Sequence, residues 1–159
     1  MKNLLFLLLC LLVITVSCNK KPAEPPAVLH DHAMMMQTDS NMRDGVFIHI
    51  TESYNDPHRV LMPLKMANMM AMDKDVLVYL DIKAVELVLK TSKDLEYADF
   101  DPLKKQLQGL IDKKVGVYAC PTCLKLAGHT PEELMEGIQV ANKEAFFNFT
   151  NGRIITLDY

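Results

Sequence analysis

The sequence has no surplus of basic residues. Its 17 Lys and Arg stand against 20 Asp and Glu, which gives a formal net charge of −3. Proteins that neutralise phosphates need a basic face, so this balance argues against a nucleic-acid partner. The sequence also contains no glycine-rich phosphate loop, no Ser-His-Asp arrangement and no paired-carboxylate motif. Its function must therefore be sought in other residues.

The sequence also lacks an apolar run long enough to span a bilayer. Leu4 to Ile14 is apolar but covers only about 11 residues, roughly half of a transmembrane helix. Lys2 precedes this run, and the short side chains of Thr15 to Ser17 follow it. This pattern predicts a cleaved export signal over residues 1–17. The next residue, Cys18, makes the segment resemble the lipobox of bacterial lipoproteins. The resemblance implies a lipid on Cys18 that anchors the protein in the cell envelope, on the periplasmic or surface side of a membrane.

Cysteine is scarce, and the four cysteines fall into three contexts. Cys10 leaves with the signal and Cys18 is the predicted lipidation site, so Cys120 and Cys123 remain as a Cys-x-x-Cys pair. An exported protein can keep this pair oxidised, reduced or metal-bound. With no tryptophan, and with the pair late in the chain, the sequence does not fit the Trp-Cys-Gly-Pro-Cys signature of thioredoxins. A second Cys pair for a four-ligand zinc site is also missing.

The remaining sequence divides into a tether and one domain. Residues 18–43 are proline-containing and show no apolar period, which predicts a flexible tether. Residues 44–159 alternate short β-branched runs with helical patterns, which predicts an α/β domain. We expect a flavodoxin-like or Rossmann-like three-layer sandwich with a mostly parallel sheet of about five strands. The predicted strands are Val46–Ile50, Val76–Leu80, Val115–Ala119, Ile138–Ala141 and Arg153–Leu157.

Helix starts are marked by capping residues. The predicted starts are Asp56-Pro57, Asp101-Pro102, Cys120-Pro121, Thr130-Pro131 and Asn142, and a further short helix is predicted around Ala84–Leu89. Pro63 falls inside the first helix, so a kink or a later start is expected there.

The loops after the first three strands should meet at one edge of the sheet. Ligands of such folds bind beyond the carboxyl ends of the strands, near a topological switch point. Residues 51–59, Asp81 and Cys120 are expected at that edge. His49, inside the first strand, is interpreted as a satisfied core histidine, and His129 is expected to be exposed.

Cys120 occupies a helix N-cap, where its sulfur faces the free amides of the first turn. These amides and the helix dipole favour the thiolate, which is the reactive form of cysteine. Three interpretations stay open from the residues alone. The first is a sulfur or redox carrier with Cys120 as nucleophile and Cys123 as resolving thiol. The second is a metal site made of Cys120, Cys123 and His129, with His58 as a further ligand. The third is a purely structural pair.

Three segments resemble the DsrE/DsrF-like family, which includes the sulfur-relay subunit TusD. They are Val46-Phe47-Ile48-His49-Ile50 with Asp56-Pro57-His58-Arg59, then Val117-Tyr118-Ala119-Cys120-Pro121-Thr122-Cys123-Leu124-Lys125, and Glu136-Gly137-Ile138-Gln139-Val140-Ala141. The similarity covers residues 44–159, and Cys120 matches the position of the sulfur-accepting cysteine. The resemblance implies a Rossmann-like sandwich, frequent homo- or hetero-oligomers and persulfide transfer between protein partners.

The leading hypothesis is therefore an envelope-anchored DsrE-like protein that transfers sulfur or reducing equivalents through Cys120, with Cys123 as resolving thiol. No cofactor is expected. His58 and Arg59 are candidates for holding an anionic sulfur species, and a protein sulfur donor or acceptor and a homo-oligomer are expected as partners. The alternative is a non-enzymatic oligomeric module that holds a metal or small ligand at the same edge.

Overall fold

The sheet is the centre of the fold and is parallel throughout. The structure, a computed structural model, describes residues 42–159, so the predicted signal peptide, Cys18 and most of the predicted tether lie outside the described residues. One five-stranded sheet has the order β4-β3-β2-β1-β5. Its strands are β1 (Gly45–Ile50), β2 (Asp75–Leu80), β3 (Gly116–Ala119), β4 (Gln139–Val140) and β5 (Ile154–Asp158). The predicted α/β fold is confirmed.

Four α-helices and two short 3-10 turns connect the strands. They are α1 (Pro57–Met70), the 3-10 turn Ala84–Val88, α2 (Leu103–Asp112), α3 (Pro121–Leu126), the 3-10 turn Pro131–Glu133 and α4 (Lys143–Asn148). The two 3-10 turns replace the α-helices expected around Ala84 and after Thr130. Within residues 42–159, no helix combines the length and the apolar character needed to cross a bilayer.

Helix α1 begins where the sequence predicts. The Asp56 carboxylate caps it by accepting the backbone N–H of Arg59 at 3.2 Å, and Pro57 occupies the first turn. The helix continues through Pro63, which is buried, so of the two expected effects, a kink or a later start, the later start does not occur. A proline removes only its own hydrogen bond, and packing of the apolar face stabilises the rest of the helix.

Helix α2 is capped by a residue that its local sequence does not reveal. The Asp94 Oδ1 accepts the backbone N–H of Leu95 at 2.9 Å and that of Lys104 at 3.0 Å. Asp101, the predicted cap, instead forms an ion pair with Lys105 at 2.7 Å. The loop before α2 therefore folds back so that Asp94 satisfies the first turn.

The strand order places most helices on one face of the sheet. Strands β1 to β4 follow one another in a single direction, whereas β5 lies on the other side of β1. Right-handed crossovers then put the first three connections on one face and α4 on the opposite face. Consistent with this, α1 packs against β1, β2 and α2. On the α4 side, Phe146 meets Phe47 and Tyr79 with ring centroids 5.3 and 4.8 Å apart.

The two faces are covered to different degrees. On the face covered by α1 and α2, the fully buried residues include Ile48, Ile50, Leu64, Leu107 and Leu110. Helix α4 has no buried residue, and the strand residues on its side of β1, β2 and β3 include the half-buried Phe47, His49, Tyr79 and Tyr118. Parallel sheets are normally covered on both faces. Because this face is thinly covered, it holds polar side chains near the carboxyl ends of the strands.

Candidate functional site

The loops that follow β2 and β3 are fixed to the neighbouring strands by backbone hydrogen bonds. The Asp81 N–H donates to the Ile50 carbonyl at 3.1 Å, and the Cys120 N–H donates to the Leu80 carbonyl at 2.9 Å. Each loop therefore starts with a residue that is still held in the parallel ladder. Asp81 and Cys120 lie at the carboxyl edge of the sheet, as the strand pattern predicts.

Cys120 is the N-cap residue of α3. Its backbone is extended, with φ −63° and ψ 119°, and Pro121 follows in the first turn. Its Sγ accepts the backbone N–H of Cys123 with a sulfur–nitrogen distance of 3.3 Å. Serine or aspartate oxygen usually fills this role at a helix start. Cys120 is only 8% exposed, yet its sulfur faces hydrogen-bond donors and not hydrocarbon alone.

The surroundings of Cys120 favour its thiolate. Burial alone would raise the pKa of this thiol, but hydrogen bonds from the Cys123 thiol, from the Tyr79 hydroxyl and from the backbone amides of Cys123 and Thr122 outweigh burial. The pKa of Cys120 therefore lies below its ordinary value. Hydrogen bonds to the charged form of a group stabilise that form.

Cys123 shows the opposite behaviour. Burial and the neighbouring Cys120 sulfur raise the pKa of the Cys123 thiol, and the negative charge of Asp81 adds to this effect. The backbone N–H of Ile82 opposes the shift by facing the Cys123 sulfur. Both cysteines are free thiols, and Cys123 is more exposed than Cys120. The surroundings thus favour the thiolate at Cys120 and the protonated thiol at Cys123. The Cys123 thiol donates to the Cys120 sulfur.

Tyr79 links the thiols to the rest of the edge. Its pKa is raised, first by burial and then by its hydrogen bond to Cys120 and by the negative charges of Cys120 and Asp81. The phenol therefore stays protonated and donates to the Cys120 sulfur. Its ring stacks on His49, with centroids 5.5 Å apart and planes inclined by 23°.

His49 lies between two carboxylates. Its Nδ1 is 2.9 Å from Asp158 Oδ1 and its Nε2 is 3.0 Å from Asp81 Oδ1. The contact with Asp158 is a hydrogen bond, whereas the contact with Asp81 is an ion-pair approach without hydrogen-bond alignment. The interpretation of His49 as a core histidine is wrong, because its side chain is half-buried at the edge and faces charged groups.

His58 and Arg59 lie apart from the thiols. Both are exposed in the first turn of α1, and with Met62 and Tyr159 they line a cavity of about 310 Å³. The His58 ring stacks on Tyr97 with centroids 6.0 Å apart. This cavity lies at the carboxyl ends of β1 and β5, which is the topological switch point of the sheet. Within residues 42–159, no hydrogen bond or ion pair joins His58 or Arg59 to the Cys pair.

His129 is not part of the thiol group. Its Nδ1 lies 3.2 Å from Glu133 Oε1, and its side chain is half-buried instead of fully exposed as expected. Among the residues that the structure describes, no three His, Cys, Asp or Glu side chains are grouped to hold a metal ion. Cys120 and Cys123 lie together, but the structure does not bring His129 to them.

The rim of the thiol pair is apolar and locally strained. Ile82 is 59% exposed and has a φ of +48°, a left-handed conformation that is unfavourable for a β-branched residue. Leu126, at the end of α3, is 83% exposed. Such strained residues concentrate at functional sites, where the surrounding structure holds them in place.

Sequence reasoning identified Cys120, Cys123 and Asp81 at this edge but missed His49, Tyr79 and Asp158. One signal for His49 was available, because alternation along β1 places it on the same face as Phe47 and opposite Ile48 and Ile50. Its partner Asp158 is 109 positions away and only the strand order brings the two together.

Comparisons with known proteins agree with this architecture. The YchN protein of E. coli superposes with a TM-score of 0.58 at 19% identity, covering 73% of this chain and 100% of the other. The MTH1491 protein of unknown function from Methanobacterium thermoautotrophicum gives a TM-score of 0.50 at 20% identity, covering 71% and 98%. A search of curated protein sequences finds no match. The family model of the DsrE/DsrF-like proteins matches residues 44–156, and the chain therefore belongs to the DsrE/DsrF-like family.

Proposed function

We propose that this protein is a thiol-based sulfur carrier in which Cys120 accepts sulfur as a persulfide and Cys123 is the resolving thiol. One observation carries the proposal: the Cys120 sulfur accepts the N–H of Cys123 at 3.3 Å and has a lowered pKa, whereas the pKa of Cys123 is raised. A thiolate is the attacking species in sulfur transfer and disulfide exchange. The family, which is generally linked to sulfur relay, supports the same activity.

Sulfur loading requires no change in the overall oxidation level. The Cys120 thiolate attacks the terminal sulfur of a donor persulfide, the sulfur–sulfur bond of the donor breaks, and the donor thiolate leaves. An acceptor thiolate can then attack the terminal sulfur on Cys120 and regenerate the Cys120 thiolate. In the alternative discharge step, deprotonated Cys123 attacks the inner sulfur, which releases hydrosulfide and leaves a Cys120–Cys123 disulfide. A dithiol reductant must then reduce that disulfide.

The limited exposure of Cys120 restricts the donor. Because only 8% of the residue surface is accessible, a flat protein surface cannot bring a sulfur atom into contact. A donor that presents its persulfide on an extended segment fits better, and the exposed Ile82 and Leu126 offer that segment apolar contacts near the thiols. We propose that both the sulfur donor and the sulfur acceptor are proteins.

Mass spectrometry after exposure to a low-molecular-weight persulfide tests the proposal. The reduced protein should gain one sulfur atom on Cys120. The Cys120→Ser variant should gain none, and the Cys123→Ser variant should keep its persulfide longer because the resolving thiol is absent. Equal sulfur gain on Cys123 in the Cys120→Ser variant would contradict the assignment. One tightly held metal ion per chain in the purified protein would favour the binding-module alternative.

We also propose that the protein self-associates through α4 and β5. Phe147, Ile154 and Ile155 are large apolar side chains exposed on these two elements, and β5 pairs only with β1 among the described strands. Exposed large apolar side chains and an open sheet edge are features of interfaces. Light scattering should show an oligomer for the wild-type protein and a smaller particle for Phe147→Asp. An unchanged mass for that variant would place the interface elsewhere.

The envelope location is proposed from the sequence alone. Cys18 follows an apolar segment and small residues in the arrangement of a lipidation site. Two or more acyl chains would hold the protein on a membrane stably. Fractionation of cells that express the full chain should recover it with membranes, and Cys18→Ser should release it. Retention of that variant in the membrane fraction would contradict the anchor.

A further inference from the structure

The imidazole of His49 joins carboxylates that come from two different strands. Asp158 belongs to β5 and Asp81 follows β2, and they lie 2.9 and 3.0 Å from the two ring nitrogens. A neutral imidazole has only one N–H and can donate to only one of these oxygens. The ring lies between the two carboxylates, with one nitrogen hydrogen-bonded to Asp158 and the other next to Asp81 Oδ1.

The Asp81 carboxylate acts against negative charge on two neighbours of the Cys120 sulfur, Tyr79 and Cys123. It contributes to the raised pKa of Tyr79 and to that of Cys123. The Asp81 side chain is largely buried, and its Oδ1 has no hydrogen-bond partner among the described residues. A charge in such a partly buried position is weakly screened and acts on its neighbours. The Nε2 of His49 is the nitrogen that lies next to this oxygen, at 3.0 Å.

His49 also contacts the group that donates to the nucleophile. Its ring stacks on the Tyr79 ring at 5.5 Å, and Phe146 packs edge-on against the same tyrosine at 4.8 Å. The Tyr79 ring is thus held on both sides, and its hydroxyl is one of the groups that lower the pKa of Cys120. A single side chain therefore touches both the carboxylate and the phenol that act on the thiol pair.

We propose that His49 is a positioning residue that offsets the charge of Asp81 and fixes the ring of Tyr79, so that Cys120 can hold negative charge in its transfer reaction. The inference rests on the proposed function of Cys120 and adds a residue to its machinery. The titratable groups that face His49 are Asp81, Asp158 and Tyr79, and the thiols of Cys120 and Cys123 lie beyond Tyr79 and Asp81. His49 itself touches neither the sulfur nor any transferred group.

A double-mutant cycle on His49 and Asp81 separates this role from a general effect on folding. The measured quantity is the rate of Cys120 alkylation by iodoacetamide across a pH series, resolved by site with mass spectrometry. His49→Gln should move the Cys120 profile to higher pH and slow alkylation near neutral pH by about three- to tenfold. Asp81→Asn should move the profile to lower pH. In the Asp81→Asn background, His49→Gln should change the rate by less than about twofold, because the charge it offsets is gone.

Two outcomes would overturn the inference. An unchanged Cys120 profile in His49→Gln would show that His49 does not influence the thiol. An equal slowing in both backgrounds would show that it does not act through Asp81. If His49→Gln fails to fold, as judged by circular dichroism, Asp158→Asn serves instead, since the exposed Asp158 holds the ring from the β5 side. That variant should shift the profile in the same direction by a smaller amount, and no shift would contradict the proposal.

The experiments distinguish a failure of the proposed carrier function from a failure of the role of His49. If Cys120 never gains sulfur but the alkylation cycle shows the expected coupling, the persulfide assignment is wrong and His49 still tunes the thiol. If sulfur is gained normally while the cycle shows no coupling, the carrier function stands and the role of His49 is wrong.

Discussion

The backbone N–H of Cys120 donates to the carbonyl oxygen of Leu80 at 2.9 Å, so the thiol-bearing residue is still held by the neighbouring strand. Leu80 lies between Tyr79 and Asp81, whose side chains both act on the thiols. A shift of one residue in the β2–β3 register would move both groups away from the sulfur. The register of the sheet thus determines the electrostatics of the site.

The first prediction concerns the pH dependence of the two thiols. Because the pKa of Cys120 is lowered and that of Cys123 is raised, Cys120 should keep its thiolate at a pH where Cys123 is protonated. Alkylation of both should slow as the pH falls, and Cys120 should lose its reactivity at the lower pH of the two. Near neutral pH, Cys120 should react about three- to tenfold faster, a moderate ratio because intrinsic nucleophilicity falls with pKa. Site-resolved mass spectrometry measures both rates.

A matched pair of variants controls this experiment. Cys123→Ala removes the thiol that donates to Cys120 and should shift the Cys120 profile to higher pH, whereas Cys123→Ser retains a hydroxyl donor and should shift it less. A Cys120 profile in Cys123→Ala that matches the wild-type profile would mean that the Cys123 side chain does not tune Cys120.

The second prediction isolates the phenol. Tyr79→Phe removes the hydroxyl that donates to the Cys120 sulfur, so the pKa of Cys120 should rise and alkylation near neutral pH should slow by up to about tenfold. Tyr118→Phe is the control, because Tyr118 pairs with Tyr79 across the β2–β3 ladder but its ring lies over Gly116. Equal rates in the two variants would show that the Tyr79 hydroxyl does not act on the thiol.

Local signals in the sequence were sufficient for much of this site. The N-cap roles of Asp56, Cys120 and Asn142 depend on residues within one helical turn, and the structure contains all three caps. The five strands were predicted from β-branched runs, and no strand end differs by more than one residue. These features depend on residues close together in the chain, so the sequence pattern is enough to predict them.

Long-range features could not be read in the same way. The Asp94 cap of α2 lies nine positions before the first helical residue, and the partner of His49 lies on a strand more than a hundred positions later. The error on His49 has a physical origin. Parallel strands usually bury both faces, but α4 contributes no buried residue here, so a histidine on that side stays in contact with solvent and with carboxylates.

The third prediction tests the cap of α2. Asp94→Ala leaves the backbone N–H groups of Leu95 and Lys104 without their acceptor, and the free energy of unfolding should fall by about 1 kcal/mol. Asp101→Ala removes only an exposed ion pair with Lys105 and should cost less than about 0.5 kcal/mol. Urea unfolding followed by circular dichroism gives both values. A larger loss for Asp101→Ala would mean that Asp101 is the effective cap.

The fourth prediction concerns the strained residue beside the thiols. Ile82 has a φ of +48° and Ala98 a φ of +47°, and both are exposed, so each should gain stability when replaced by glycine. Left-handed backbone costs an L-residue about 1–2 kcal/mol, and the greater freedom of unfolded glycine offsets part of that gain. A net increase of up to about 1 kcal/mol is expected for each variant, with the larger gain at Ile82 because it is β-branched.

The two variants should differ at the thiols. The Ile82 amide faces the Cys123 sulfur, so a more mobile glycine at this position should weaken that contact and raise the pKa of Cys123 further. Alkylation of Cys123 should therefore slow in Ile82→Gly and stay unchanged in Ala98→Gly, whose backbone is remote from the pair in sequence and makes no hydrogen bond to it within residues 42–159. If Ile82→Gly gained stability without any change at Cys123, the strain at Ile82 would have no part in holding the amide on the sulfur.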